Sequence, residues 1–317
     1  MEELRVEYNI PDLSNLDKRI EKVEDEVSTY KIHSFLDFEI LLSEIYKRDR
    51  MINMGDYAYR GVQNKAYGLE TSLSYTGLIE YESEMIHSLR NSMPSEFLDC
   101  KDTYTMVAKM QHYGLPTRLL DFSRNPLVAL WFACDDEGHT GKDADKDGLV
   151  YIWVCAMMLS YENLNKIFDY PEFICQQSGP NDKDLEAEYF KNHAKFCEAI
   201  CVSQRERNQQ SLFMVGINRM SAFWCEDNKI ISTENEKEIP EGRNVIWNCL
   251  GTMCATKDEM IDNCIKVVVP KEIKKDILEE LEIRGITRDF LFPEIHNKAA
   301  TIKNKYLRIV KLENVKD

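Results

Sequence analysis

The sequence predicts an α+β fold: a single mixed-sheet domain with surrounding helices, plus an N-terminal helical extension. Three observations carry this reading. Leu149-Val150-Tyr151-Ile152-Trp153-Val154 and Ile265-Lys266-Val267-Val268-Val269 are apolar, β-rich runs of strand length. Several other stretches repeat apolar residues at the period of a helix. The 317 residues show no internal repeat, no low-complexity linker and no sharp boundary. The extension is therefore placed at 1–33 and the domain at 34–317, with an acidic, helical-looking insertion around 160–200.

Taken in order, Leu16, Ile20, Val23 and Val27 suggest a charged helix from Leu13 to Ile32. Ser34 can cap a second helix through Phe35, Phe38, Leu41, Leu42 and Ile45. Asp56-Tyr57-Ala58-Tyr59-Arg60-Gly61 reads as a short aromatic strand. A polar segment at Thr71–Ser74 leads to a helix that includes Glu82, Met85 and Leu89 and breaks before Pro94. Thr103 to Gln111 forms another helix, with Tyr104, Val107 and Ala108 facing inward. Asn125 and Pro126 then open a helix to Cys134. Asp143, Asp145, Asp147 and Gly148 imitate the start of an EF-hand loop, but Val154 stands where its bidentate Glu belongs, so at most weak ion binding is expected. Residues 225–250 form a polar excursion. Lys271 to Leu281 is an amphipathic helix, and a last helix is expected from Asn297 to Val310.

Bulk properties narrow the function classes. The formal charge of −15 repels nucleic-acid backbones and argues against sequence-specific DNA binding. Ten scattered cysteines without paired C-x-x-C motifs read as buried thiols rather than disulfides or zinc ligands. The start, Met1-Glu2-Glu3-Leu4-Arg5, lacks the apolar core of a signal peptide, and no apolar run reaches membrane-spanning length. A cytoplasmic location without membrane association is expected.

The densest chemistry lies in Gln111 to Ala133. His112, Arg118, Asp121 and Ser123 fall within a dozen residues, punctuated by Gly114 and Pro116, and an apolar helix follows. A polar strand leading into a buried helix is a common way to hold a ligand. The plain alternative is a packed strand–helix corner without chemistry, and on spacing alone the two stand level. Arg60, at the end of a core strand and followed by Gly61, suits a phosphate through its bidentate fork, with a structural ion pair as the alternative. Gln209 and Gln210 can hydrogen-bond an amide or a sugar hydroxyl, although they are also ordinary loop residues.

Together these motifs resemble the FRG domain family, which is widespread in bacterial proteins and named for an aromatic-Arg-Gly motif. Tyr59-Arg60-Gly61 matches that motif, and Gln111 to Asp121 resembles the family's long central signature, continued by Asn125 to Ala133. Arg205, Gln209 and Phe213 resemble a later motif, with Ser211 where glycine is expected. Leu281, Gly285-Ile286 and Leu291 to Glu294 resemble the closing segment. The similarity extends over roughly residues 34–305.

A weaker resemblance is to ADP-ribosyltransferases of the Arg-Ser-Glu type, and it implies an ADP-ribosyltransferase-like arrangement of the sheet. It implies NAD as substrate, with Tyr59, Arg60, Gly61, Arg118 and Ser123 at the ligand and His112, Asp121, Glu206 and Gln209 as catalytic candidates. No metal is expected. The departure is the late acid: Gln209 and Gln210 occupy its region, and a Gln cannot act as a base. ADP-ribose would pass to an acceptor that the sequence does not identify. The alternative is a module that binds a nucleotide or phage-derived ligand without turnover. The resemblance also implies a place in bacterial defence or in a toxin system. Nuclease or hydrolase chemistry ranks last, because no metal-carboxylate cluster or nucleophile–base pair stands out.

Overall fold

The computed structural model describes residues 13, 16–23, 28–49, 56–69, 71–76, 78, 81–135, 143, 145–155, 158–159, 195–199, 203–215, 223–226, 229–232, 264–294 and 302. The strands are β1 (Glu21–Lys22), β2 (Thr29–Lys31), β3 (Asp56–Val62), β4 (Leu120–Ser123), β5 (Gly148–Cys155), β6 (Met158–Leu159), β7 (Lys195–Glu198), β8 (Ser211–Val215), β9 (Phe223–Glu226), β10 (Lys229–Ser232) and β11 (Cys264–Val269). The α-helices are α1 (Phe35–Asp49), α2 (Ser72–Tyr75), α3 (Glu82–Ser92), α4 (Thr103–His112), α5 (Pro126–Cys134), α6 (Gln204–Asn208), α7 (Lys274–Ile283) and α8 (Arg288–Leu291).

Among the described residues, nine strands form one mixed sheet in the order β1-β2-β11-β5-β3-β4-β8-β7-β6, and β9 and β10 form a separate hairpin. The pairs β2–β11 and β6–β7 are parallel, and the others are antiparallel. This is the single mixed sheet with surrounding helices that the sequence predicts. Among the described residues, no helix is long and apolar enough to cross a membrane.

One face of the sheet packs on α1, α5 and α7. Phe38, Leu41 and Ile45 of α1, Val128 and Leu130 of α5, and Ile277 and Leu281 of α7 join Tyr59, Ile152, Ile265 and Val267 in one core. Helix α5 begins where Asn125 Oδ1 accepts the Leu127 N–H at 3.0 Å and Pro126 fills the first turn. It is apolar all round because it is buried, making contact with β3 on one side and α7 on the other. The opposite face buries Ala58, Val62, Phe122, Tyr151, Leu212 and Met214. A third cluster holds α3 and α4 through Ile86, Tyr104, Val107 and Met110 against Leu119 and Phe213.

Two sequence expectations fail. The helix expected over Leu13–Ile32 is instead β1 and β2, with β2 paired to β11 at Thr29–Lys266. Ser28 sits at φ 50°, a left-handed conformation that ends any helix there. Thr29 and Tyr30 bury themselves between β1 and β11, so tertiary pairing overrides the helical spacing. At the end of the expected insertion, Lys195–Glu198 is strand β7, held by β8. Residues 160–194 and the helix expected at Asn297–Val310 lie outside the described residues, apart from Ile302.

The sheet has a seam. Strands β3 and β5 pair over seven residues, whereas β3 and β4 pair only at Tyr59–Ser123. Arg60, Asp121 and Ser123 lie at this seam.

Candidate functional site

The segment leading to β4 is built by consecutive local devices. Helix α4 ends in a Schellman motif: Leu115 N donates to Met110 O at 3.0 Å and Gly114 N to Gln111 O at 2.9 Å. Gly114 takes φ 93°, a value that favours glycine. The chain then buries Thr117 and Arg118. Arg118 pairs with Glu82 of α3, its Nε donating at 2.8 Å and its Nη2 making a second, shorter bond. Asp121 is therefore not the partner of Arg118.

Beyond the seam's single pair, Arg60 Nη1 donates to the Asp121 carbonyl at 2.7 Å. A guanidinium thus stands where a backbone ladder bond would otherwise join the strands. The Asp121 carboxylate accepts from Gln111 Nε2 at 2.9 Å. Arg60 and Arg205 both act on it as positive charges.

Solvent reaches Asp121. Its pKa is nevertheless raised, chiefly because surrounding protein strips hydration from the charged form. The attraction of Arg60 and Arg205 and the Gln111 hydrogen bond pull the other way. Exposure and desolvation coexist here: the Asp121 side chain meets solvent at the seam while the surrounding protein crowds it.

Arg205, on α6, lays its guanidinium over the Phe292 ring at 4.6 Å. Arg288 lies over the same ring at 5.6 Å and donates to Asp135 Oδ2 at 2.8 Å. Ser123 ties the neighbouring segments together through the backbone: its Oγ accepts the Asn125 N–H at 2.9 Å and donates to the Gln209 carbonyl at 2.7 Å. The Gln209 side chain donates to Leu291 O at 3.0 Å, fastening α6 to α8.

Of the expected site residues, Arg60 and Asp121 meet directly, with Ser123 and Gln209 beside them as supports. Several others make contacts within the fold. Tyr59 is buried with its hydroxyl on that of Tyr46. Gly61 makes room for α5, since a Cβ there would lie 1.7 Å from Ala129 O. Arg118 is held by Glu82. Glu206 is buried in a capping box with Ser203, accepting the Ser203 N–H at 3.0 Å while its own N–H donates to Ser203 Oγ at 3.2 Å. His112 packs edge-on against Tyr113, with ring centroids 5.4 Å apart, and makes no hydrogen bond among the described residues.

The sequence reading did not assign Gln111, Thr117 or Arg205 to the site. Gln111 carries a usable signal, because it continues the inward stripe of Tyr104, Val107 and Ala108 and so is polar on a buried face. The EF-hand likeness has a structural explanation in part: Asp143 is buried and accepts from Asn64 Nδ2 at 3.0 Å and Tyr67 Oη at 2.8 Å. Among the described residues, no group of three or more His, Cys, Asp or Glu is arranged to hold a metal ion. Cys134, Cys197 and Cys264 are buried free thiols, and burial pushes all three upward in pKa, Cys197 and Cys264 to about 12.

The raised Asp121 pKa has a consequence for stability. A carboxyl whose folded-state pKa exceeds its unfolded one contributes stability below the unfolded value, lost as pH rises through the folded value. Asp121→Asn keeps the acceptor for Gln111 and removes the ionisation. It is expected to melt above the wild type at pH 7, with the gap closing as pH falls to the usual carboxylate range near ~3.9. Thermal melts between those limits check this, and an equal or lower melting point at pH 7 contradicts it.

Fold and site together define a mixed α+β protein with the solvent-reached Asp121, Arg60 and Arg205 beside a sheet seam. Residues 55–142, from β3 through α5, match the family model of the FRG domain. The match holds Arg60, Gln111, Thr117 and Asp121, while Arg205 and Gln209 lie beyond it. No curated protein and no solved structure matches the chain.

Proposed function

We propose that the seam around Asp121 forms a recess that binds NAD or a related nucleotide and cleaves its nicotinamide–ribose bond, passing ADP-ribose to an acceptor. The observation that carries this reading is one solvent-reached carboxylate, Asp121, in the field of two guanidiniums, Arg60 and Arg205. Arg60 and Arg205 supply positive charge for the diphosphate. As the carbon–nitrogen bond breaks, its electron pair leaves with nicotinamide and positive charge develops on the ribose. A nearby carboxylate stabilises that charge. The acceptor's oxygen or nitrogen then bonds the ribose carbon, and its proton passes to Asp121. A base is most effective with a pKa near the working pH, and crowding moves Asp121 in that direction. Asp121 here takes the part of the late Glu, since Glu206 is spent in its capping box. A role in bacterial defence or in a toxin system is part of the same proposal.

Incubation with labelled NAD tests the reading by nicotinamide release and label transfer to lysate acceptors. Arg60→Ala is expected to lose NAD-dependent thermal stabilisation and at least about tenfold in release, roughly one charge-assisted contact's worth. Its own stability should fall by only about 1 kcal/mol, for the lost bond to the Asp121 carbonyl. Wild-type protein that releases no nicotinamide with any acceptor refutes the enzyme reading.

A second reading, a nucleotide-binding module without turnover, is favoured by one observation: the side chains of Glu206 and Gln209 already hold Ser203 and Leu291. NAD that stabilises the protein and is recovered unchanged decides for it.

A further inference from the structure

The Asp121 carboxylate is held by more than its strand. Gln111 Nε2 donates to its Oδ1 at 2.9 Å. The other end of that amide, Oε1, accepts from the Thr117 hydroxyl. Thr117 Oγ1 in turn accepts the Leu119 N–H at 3.2 Å. Each link has a fixed direction. A backbone N–H only donates, so the Thr117 oxygen accepts there, and its own proton goes to Gln111 Oε1. An amide oxygen only accepts, so Nε2 must face Asp121. Thr117 is 1% exposed, which leaves little room for water to replace the relay.

Other contacts already secure the backbone. Arg60 holds the Asp121 carbonyl, and the Arg118–Glu82 pair anchors the residues before it. What the Gln111 bond adds is control of the carboxylate's rotation. It occupies Oδ1, and solvent reaches the side chain.

We propose that Thr117 and Gln111 are positioning residues that fix the Asp121 carboxylate with Oδ2 facing the recess, ready to take the proton of the attacking acceptor. The inference rests on the ADP-ribosyl-transfer reading. In that step an O–H or N–H acceptor bonds the ribose carbon as the nicotinamide bond breaks, and the acceptor's proton moves to Oδ2. The charged groups facing Asp121 are Arg60 from β3 and Arg205 from α6, and Gln111 from α4 is neutral. Losing Gln111's grip removes a bond to the ionised form, so the carboxyl titrates at higher pH.

The test compares wild type, Thr117→Val and Thr117→Ser. Thr117→Val keeps the side chain's shape and removes the hydroxyl. It is expected to bind NAD within about threefold of wild type, and to lose about 10- to 100-fold in kcat for nicotinamide release, as small misplacements of a reacting group do. The acid limb of its kcat/KM profile should move to higher pH, and Thr117→Ser should restore both. An unchanged kcat and profile in a folded Thr117→Val protein overturns the proposal. If wild type shows no turnover, the enzyme reading fails separately. The relay is then judged by carbon NMR titration of the Asp121 carboxyl, where equal titration midpoints in wild type and Thr117→Val overturn it and a higher midpoint in the variant supports the relay itself.

Discussion

Replacing Glu82 with alanine is expected to cost about 3–5 kcal/mol, because it leaves the Arg118 guanidinium buried without its carboxylate. The two side chains are 3% and 2% exposed, so water cannot take over the lost bonds. A chemical denaturation curve reads the loss as a lower midpoint at unchanged slope. The double variant Glu82→Met with Arg118→Leu should recover most of it, since a buried ion pair replaced by apolar groups of similar size is often neutral or better. A cost below about 1 kcal/mol for Glu82→Ala would mean that the charge is not buried as described. The variant also bears on the recess. Arg118 separates Thr117 from the strand carrying Asp121, so loosening it should disturb the Thr117–Gln111–Asp121 hydrogen bonds even in the folded fraction.

Gly61→Ala is the second large effect. The added Cβ would lie 1.7 Å from the carbonyl oxygen and 2.8 Å from the amide nitrogen of successive turns of α5. Backbone cannot step aside as a side chain can, so helix and sheet must separate, at a cost of about 3 kcal/mol or more. Gly148 faces the same helix, its Cβ position 2.3 Å from Ala133 O. The natural control is Gly114→Ala, where nothing lies within 4 Å and only the positive φ opposes the change. That variant should lose about 1–2 kcal/mol. Thermal melts of the two variants side by side separate crowding from backbone strain.

These two positions also mark what a reader of the sequence can and cannot see. The limits of α5 are legible because Asn125-Pro126 announces a start and the run to Cys134 is continuously apolar. The same holds for β5 and β11, whose apolar runs are of strand length. Strand β2 is not legible: it has three residues, and its partner β11 lies near the other end of the chain. Glu82 reads as one more acid on a charged helix, and only its position opposite Arg118 turns it into a buried anchor. In the recess, Arg60 and Asp121 are visible as chemistry-bearing residues in notable places. Gln111 is overshadowed by His112, the more reactive side chain next to it. Glu206 attracts notice as an acid near the late Gln pair, although three residues before it stands Ser203, the other half of a capping box.

The place of β11 between β2 and β5 has a consequence for how the chain is made. Strand β5 is complete roughly 100 residues before β11 emerges, and at about 5–20 residues per second that is an interval of several seconds. Until then β5 offers a bare row of amide and carbonyl groups over the apolar side chains Val150 and Ile152, an edge of the kind that pairs with the wrong chain. The last long strand among the described residues is the one that seals it. Yield in cells should therefore depend on how β5 is shielded during that interval, and truncation before residue 264 should favour aggregation over a smaller folded product.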